Sequence, residues 1–215
     1  MNMPNPDKVP YLYFGNLLPS EPQYRSGLFL GLALKPLHDK EIFHDAAQPL
    51  PFVDGSVAGI QSQDVFEHIE YDRVTAILDE VFRCLQPGAM FRLSLPDYNS
   101  PLLQSRSAYN AEGKILCDLA MGGLPVATMS GGISVRFSPN GEAHLWFPTY
   151  TKVLHLILAS QIRKCSSIEV HHAWLDRHDF ICREFEHGNM PVIRVPPRDM
   201  RAGGAPISIV IDFVK

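Results

Sequence analysis

Apolar positions fall along this chain in two distinct patterns, short runs and a helical period. Val57-Ala58-Gly59-Ile60 is a short apolar run that ends in Gln61, Ser62, Gln63 and Asp64. After it, Val74, Ile77, Leu78, Val81, Phe82 and Leu85 recur at i, i+3, i+4, i+7, i+8 and i+11. That spacing predicts one face of a helix of about four turns. Gln86-Pro87-Gly88 predicts its stop, because proline cannot continue a helix and glycine supplies the turn. A second apolar run, Ala89 to Leu95, ends at Pro96-Asp97. A strand, a helix and a strand in this order form a βαβ unit with parallel strands. In open parallel sheets ligands bind beyond the carboxyl ends of the strands. Those ends here carry Ser62-Gln63-Asp64 and Pro96-Asp97-Tyr98.

The same patterns place the remaining elements. Val9 to Phe14, Gly27 to Leu34 and Glu41 to Asp45 read as three earlier strands. Leu102 to Met121 reads as a helix, broken near Gly122-Gly123, and the stretch up to Gly141 is glycine-rich and irregular. Val153, Leu154, Ile157 and Leu158 make the core-facing stripe of a further helix, with Thr149 as its N-cap. Ser167 to Val170 and Phe180 to Arg183 read as short strands, and Pro206 to Lys215 as a last strand rich in branched residues. The result is an α/β chain.

Composition narrows the function classes. A length of 215 residues suits one domain with a substantial core, taken here as residues 1–215. The net charge of −4 leans away from a broad nucleic-acid surface. No apolar run approaches the roughly 20 residues that span a membrane. Met1 to Pro10 is polar and proline-rich, without the apolar core of a signal peptide, so a cytoplasmic location is expected. Cys84, Cys117, Cys165 and Cys182 form no CxxC pair and read as reduced thiols. His171, His172, Asp176, His178 and Asp179 cluster in sequence, but their spacing fits no standard metal site, and no metal is expected.

One string carries a more specific signal. It runs from Asp45 through Leu50-Pro51-Phe52, Asp54-Gly55-Ser56-Val57 and Val65-Phe66-Glu67-His68-Ile69 to Leu78-x-Glu80-Val81-x-Arg83-x-Leu85-x-Pro87-Gly88. Over these roughly 55 residues the chain resembles the class I S-adenosylmethionine-dependent methyltransferases of the small-molecule type. The resemblance implies a Rossmann-like, mostly parallel seven-stranded sheet with helices on both faces. The last strand would insert antiparallel between strands five and six. It also implies S-adenosylmethionine as cofactor, lying across Gly15, Asn16, Asp45, Ala46, Gln63 and Asp64. Methyl would pass to a small-molecule or saccharide-type acceptor, with no nucleic-acid or membrane partner.

Asp64 and His68 are four residues apart, which on a helix places them on one face with Glu67 alongside. Histidine titrates near neutral pH, so His68, with Glu67, is the candidate general base. Family members often carry a substrate-side insertion after the fifth strand, expected here around residues 100–148. Asp97 and Tyr98 at the end of the fifth strand, and Arg106 and His144 in the insertion, are candidate substrate contacts, with Tyr109 and Arg136 nearby.

Two positions depart from the family pattern. The loop after the first strand, Gly15-Asn16-Leu17-Leu18-Pro19-Ser20, keeps one glycine where two or three are usual. The end of the second strand has Leu32 and Leu34 where an acid usually accepts from the ribose hydroxyls; Asp39 and Glu41 lie further along. These departures define an alternative, a non-catalytic protein that keeps the fold as a binding or scaffold module. The two readings differ in a structural expectation: a Leu17 or Leu18 side chain above strands one and four would exclude the cofactor.

Overall fold

A computed structural model describes residues 11–123, 143–195 and 204–215. The central βαβ unit forms as its periodicity predicts. Strand β4 (Val57–Gln63) leads through a single 3-10 turn (Phe66–His68) into helix α2 (Tyr71–Cys84), which returns to β5 (Leu85–Pro96). Helix α2 buries Val74, Ile77, Leu78, Val81 and Cys84. Burying a large aliphatic side chain contributes roughly 1.5–3 kcal/mol, so this stripe is what holds the helix to the sheet. The helix stops before Gln86, and Pro87 and Gly88 do not form a separate loop. They lie within β5, where a register shift between Val57 and Gly59 of β4 absorbs them. Gly88, at φ 77°, donates its N–H to the Lys215 carbonyl and so ties the start of β5 to the chain's last residue.

Strands β1 (Tyr11–Phe14), β2 (Phe29–Ala33) and β3 (Glu41–Phe43) add to β4 in parallel, with the short helix α1 (Pro22–Ser26) between β1 and β2. On the other side lie β9 (Ser167–Trp174), β10 (Phe180–Cys182) and β11 (Ser208–Val214). The sheet order is β10-β9-β11-β5-β4-β1-β2-β3. Strand β11 is antiparallel to both β5 and β9, so the last strand takes the inserted position the resemblance implied. The sheet has eight strands rather than seven, because Phe180–Cys182 pairs as an antiparallel edge with β9. Leu12, Phe14, Ile60, Phe91, Ile209 and Phe213, all fully buried, form one core with the inner face of α2 and of α4 (Tyr150–Ala159). Thr149 caps α4, accepting from the N–H of Lys152.

The segment after β5 is not the long helix its composition predicts. Helix α3 covers only Pro101–Ser105, with Ser100 as its N-cap. It is followed by β6 (Ser107–Tyr109), β7 (Ile115–Asp118) and β8 (Gly122–Gly123), a separate three-stranded antiparallel sheet. Asn110 and Gly113 make the turn between β6 and β7: Gly113 sits at φ 78° and the Asn110 side chain accepts from two main-chain N–H groups. Turn chemistry outweighed the partial apolar stripe of Ile115, Leu116 and Leu119. Residues 124–141 of the glycine-rich stretch, with Arg136, lie outside the described residues, as do Val9 and the N-terminal Met1 to Pro10. The four cysteines are free thiols, and no helix among the described residues is long and apolar enough to cross a membrane.

Candidate active site

The loop after β1 takes its shape from a residue on a neighbouring strand. Gly15 leaves β1 at φ 103°, a conformation L side chains rarely adopt, and donates its N–H to the Leu32 carbonyl. Glu41, at the start of β3, lies buried beneath the loop. One carboxylate oxygen accepts from the Leu17 N–H at 2.6 Å. The other accepts from the Leu37 N–H at 2.6 Å and from the Asn16 side-chain amide at 2.9 Å. Gly31 makes room for this arrangement, since a Cβ there would stand 2.8 Å from Glu41 Cγ and 3.2 Å from the Gly15 carbonyl. Leu17 is fully buried against Tyr13, Phe29 and Met190.

That packing leaves a cavity of about 750 Å³ over the carboxyl ends of β1, β2, β3 and β4. It is lined by Gly15 and Asn16 after β1, by Leu32, Leu34 and Lys35 at the end of β2, and by His44, Asp45, Ala46 and Ala47 after β3. Asp64, Val65, His68, Ile69, Glu70 and Arg73 close its β4 side. Neither Leu17 nor Leu18 lines it. Of the residues expected around a cofactor, Gly15, Asn16, Asp45, Ala46 and Asp64 meet in this one space. Gln63 does not line it; its side-chain oxygen faces the Ile193 N–H instead. The Asp45 carboxylate accepts from the Ala47 N–H, so it closes the local turn as well as facing the cavity. No acid stands at the end of β2, and both oxygens of Glu41 are committed to the loop.

Asp64 is strained. Its φ of 54° makes it the non-glycine residue with positive φ among the described residues. Its N–H donates to the Ser94 carbonyl, which holds it at the end of β4. Burial raises its pKa, opposed mainly by the Arg194 guanidinium, whose Nε lies 3.2 Å away. Asp64 therefore precedes the 3-10 turn and does not share a helix face with His68 as the spacing suggested.

Behind the cavity wall lies a second polar group. Glu67 is fully buried, and its main-chain carbonyl accepts from the Leu145 N–H. Neither of its carboxylate oxygens has a hydrogen-bond partner among the described residues. Burial pushes its pKa well above the usual carboxylate range, and the neighbouring Asp64 carboxylate adds to this. His68 Nε2 and His144 Nε2 stand 3.9 and 3.8 Å from Glu67 Oε1. His68 Nδ1 lies 3.1 Å from the Ala143 carbonyl. His144 Nδ1 lies 2.5 Å from the Tyr98 hydroxyl, which is also 2.7 Å from Asp118 Oδ2. Burial, helped by His68, lowers the His144 pKa to about 3. Burial raises that of Asp118, but bonds from Tyr98, from the Ala120 N–H and from Arg106 outweigh it and hold Asp118 below its ordinary value. Arg106 Nε is 2.7 Å from the same Asp118 oxygen.

An ionised Asp118 accepts the hydrogen bond that the Tyr98 hydroxyl donates. The Tyr98 oxygen then accepts from His144 Nδ1–H, and the lone pair of His144 Nε2 points at Glu67. Tyr98, Arg106 and His144, named separately from the sequence, thus form one network. Asp97 is fully buried and accepts from the Trp174 N–H at 2.6 Å and the Asn99 N–H at 3.0 Å. The histidines of β9 go to separate partners: His171 to Asp212, and His172 to the Arg183 carbonyl. Asp176 accepts from the His178 and Asp179 N–H groups as a turn residue. Sequence reasoning missed the role of Glu41 and the place of His44, Lys35 and Arg73 in the cavity. No local signal marked them, because each is set by the approach of separate strands.

Residues 29–93, from β2 into β5, match the family model for the methyltransferase domain. A search among curated proteins finds no match. Among solved structures, a SAM dependent methyltransferase from Archaeoglobus fulgidus is similar with a TM-score of 0.53 at 12% identity, covering 97% of this chain and 87% of that one. An S-adenosylmethionine dependent methyltransferase from Mesorhizobium loti has a TM-score of 0.47 at 17% identity, covering 98% of this chain and 92% of that one. The chain thus shares its fold with S-adenosylmethionine-dependent methyltransferases, and its residues 29–93 match the model of the methyltransferase domain.

Proposed function

We propose that this protein transfers methyl from S-adenosylmethionine to a small-molecule or saccharide-type acceptor. The observation that carries the reading is the cavity of about 750 Å³ in which Gly15, Asn16, Asp45, Ala46 and Asp64 meet, with Leu17 packed away from it. Its size falls in the ordinary range for cofactor sites. Leu32, Val65 and Ile69 supply apolar walls for a purine ring, and Asp45 supplies an acceptor for an exocyclic amine. Bound there, the cofactor supplies a methyl group on a sulfonium, already activated for transfer. The protein's contribution is then to hold the acceptor in line and keep water away. Asp64 and His68 are among the titratable side chains that line the β4 side of the cavity, with Glu70 and Arg73, and Tyr98, Arg106 and His144 support that wall from behind.

The single glycine in the first loop and the missing acid after β2 favour the alternative of a non-catalytic protein on this fold. One measurement separates the two. Isothermal titration of the full chain with S-adenosylhomocysteine is expected to show micromolar binding that Asp45→Ala weakens. A folded protein that binds neither this ligand nor S-adenosylmethionine at millimolar concentration would exclude the methyl-transfer reading.

A further inference from the structure

Glu67, His68 and His144 come from two distant parts of the chain and converge. One ligand atom of each lies within 4.8 Å of the other two. The separations from Glu67 Oε1, 3.9 Å to His68 Nε2 and 3.8 Å to His144 Nε2, are too long for direct hydrogen bonds. Both carboxylate oxygens of Glu67 are buried with no hydrogen-bond partner among the described residues. Such a group is costly unless something compensates it.

The two rings are held from behind in a consistent way. His144 is oriented through Nδ1 by Tyr98, which Asp118 and Arg106 fix in turn. His68 is oriented through Nδ1 by the Ala143 carbonyl. Imidazoles that ligate a metal through Nε2 are oriented in this manner, by an oxygen acceptor on the other nitrogen. Two imidazoles and one carboxylate on one side of a point suit a divalent first-row transition ion with positions left open. His68 also lines the large cavity, so the convergence point borders the space where an acceptor would lie.

We propose that Glu67, His68 and His144 form a binding site for a divalent transition-metal ion. The ion would present its open positions to the cavity and take an oxygen ligand from the acceptor. The ion site stands on the geometry of the three residues; its use for an acceptor oxygen rests on the methyl-transfer reading. Under this arrangement His68 is a ligand, Tyr98 is a positioning residue, and the acceptor class is a small molecule with a hydroxyl or carboxylate able to coordinate.

The test uses the full chain, stripped with a chelator and titrated with Co2+ and with Zn2+ against a chromophoric competitor. The expected result is one equivalent bound at micromolar or tighter affinity, with Co2+ absorption bands of a nitrogen- and oxygen-ligated ion. Glu67→Gln, His144→Gln and His68→Gln should each weaken binding by at least about tenfold, and Tyr98→Phe by a smaller factor. His68→Gln, at the cavity wall, decides the matter if the buried variants do not fold. The site is excluded if the folded chain binds neither ion below millimolar concentration, or if the three ligand variants bind as tightly as the parent. Titration of the same preparation with S-adenosylhomocysteine tests the cofactor reading separately. Metal binding without it would retain the ion site and remove the acceptor assignment.

Discussion

The main-chain N–H of Leu17 donates to the buried carboxylate of Glu41 at 2.6 Å. This contact explains how a loop with one glycine leaves a cofactor-sized cavity open. In the family pattern, glycines let a bound cofactor approach the loop closely. Here an internal acid takes the Leu17 N–H and turns the leucine side chain into a small core of Tyr13, Phe29 and Met190. Glu41→Gln keeps the shape but faces an amide N–H2 against donors. Leaving a buried N–H unsatisfied costs about 1–3 kcal/mol, which urea denaturation should register. S-adenosylhomocysteine affinity should fall with it. Unchanged stability would show that Glu41 does not anchor the loop.

Gly31 should tolerate no side chain. An alanine Cβ would stand 2.8 Å from Glu41 Cγ, 3.3 Å from Leu17 Cγ and 3.2 Å from the Gly15 carbonyl. The same loop must shift to admit it. Overpacking of this kind typically costs about 1–3 kcal/mol. Thermal unfolding of Gly31→Ala, with ligand titration beside it, should show both a lower midpoint and weaker binding. A variant with parent-like values would mean that the loop adjusts freely.

A buried ion pair joins β5 to β11. Arg92 Nε and Nη2 lie 2.7 and 2.6 Å from the two Asp212 oxygens, and His171 Nε2 lies 2.9 Å from one of them. Breaking such a pair from one side leaves a buried charge and costs about 3–5 kcal/mol. Asp212→Asn should therefore destabilise the fold strongly. The double variant Arg92→Met with Asp212→Leu should recover much of the loss, since it leaves no charge behind. A double variant as unstable as the single one would show that the pair is net stabilising.

Asp97 should make stability depend on pH. Burial pushes its pKa from 3.8 up to about 7, against the pull of the Trp174 and Asn99 N–H groups. The folded chain therefore keeps a proton that the unfolded chain releases near pH 3.8. The stabilisation is complete below that pH and is lost as pH rises through about 7. The interval corresponds to roughly 4 kcal/mol. Asp97→Asn removes the titration, so its stability relative to the parent should improve from pH 4 to pH 7. Parallel pH profiles for the two proteins would exclude a raised Asp97.

The sequence by itself determined the central βαβ unit and the end of the chain. The strand Val57–Gln63 lies on the apolar run and the polar residues that end it, and the stripe from Val74 to Val81 matched the buried face of α2, because a short bounded apolar run and a period of 3.6 residues are both local patterns. The branched run at Ser208–Val214 declared a buried strand in the same way. The departure came where short-range chemistry opposes a weak pattern, as in the turn at Asn110 and Gly113 that replaces the helix expected over Leu102 to Met121, whereas Phe180–Cys182, read as a short strand, pairs at the edge and raises the count implied by the resemblance from seven to eight. Tertiary structure alone decided the relationships on which the proposed site depends. Leu17 and Glu41 are 24 positions apart, and Glu67 meets His144 across two sheets and a segment outside the described residues. Each side chain was legible as a residue type, but which carboxylate faces which donor depends on the path of the whole chain, and no local pattern encodes that path.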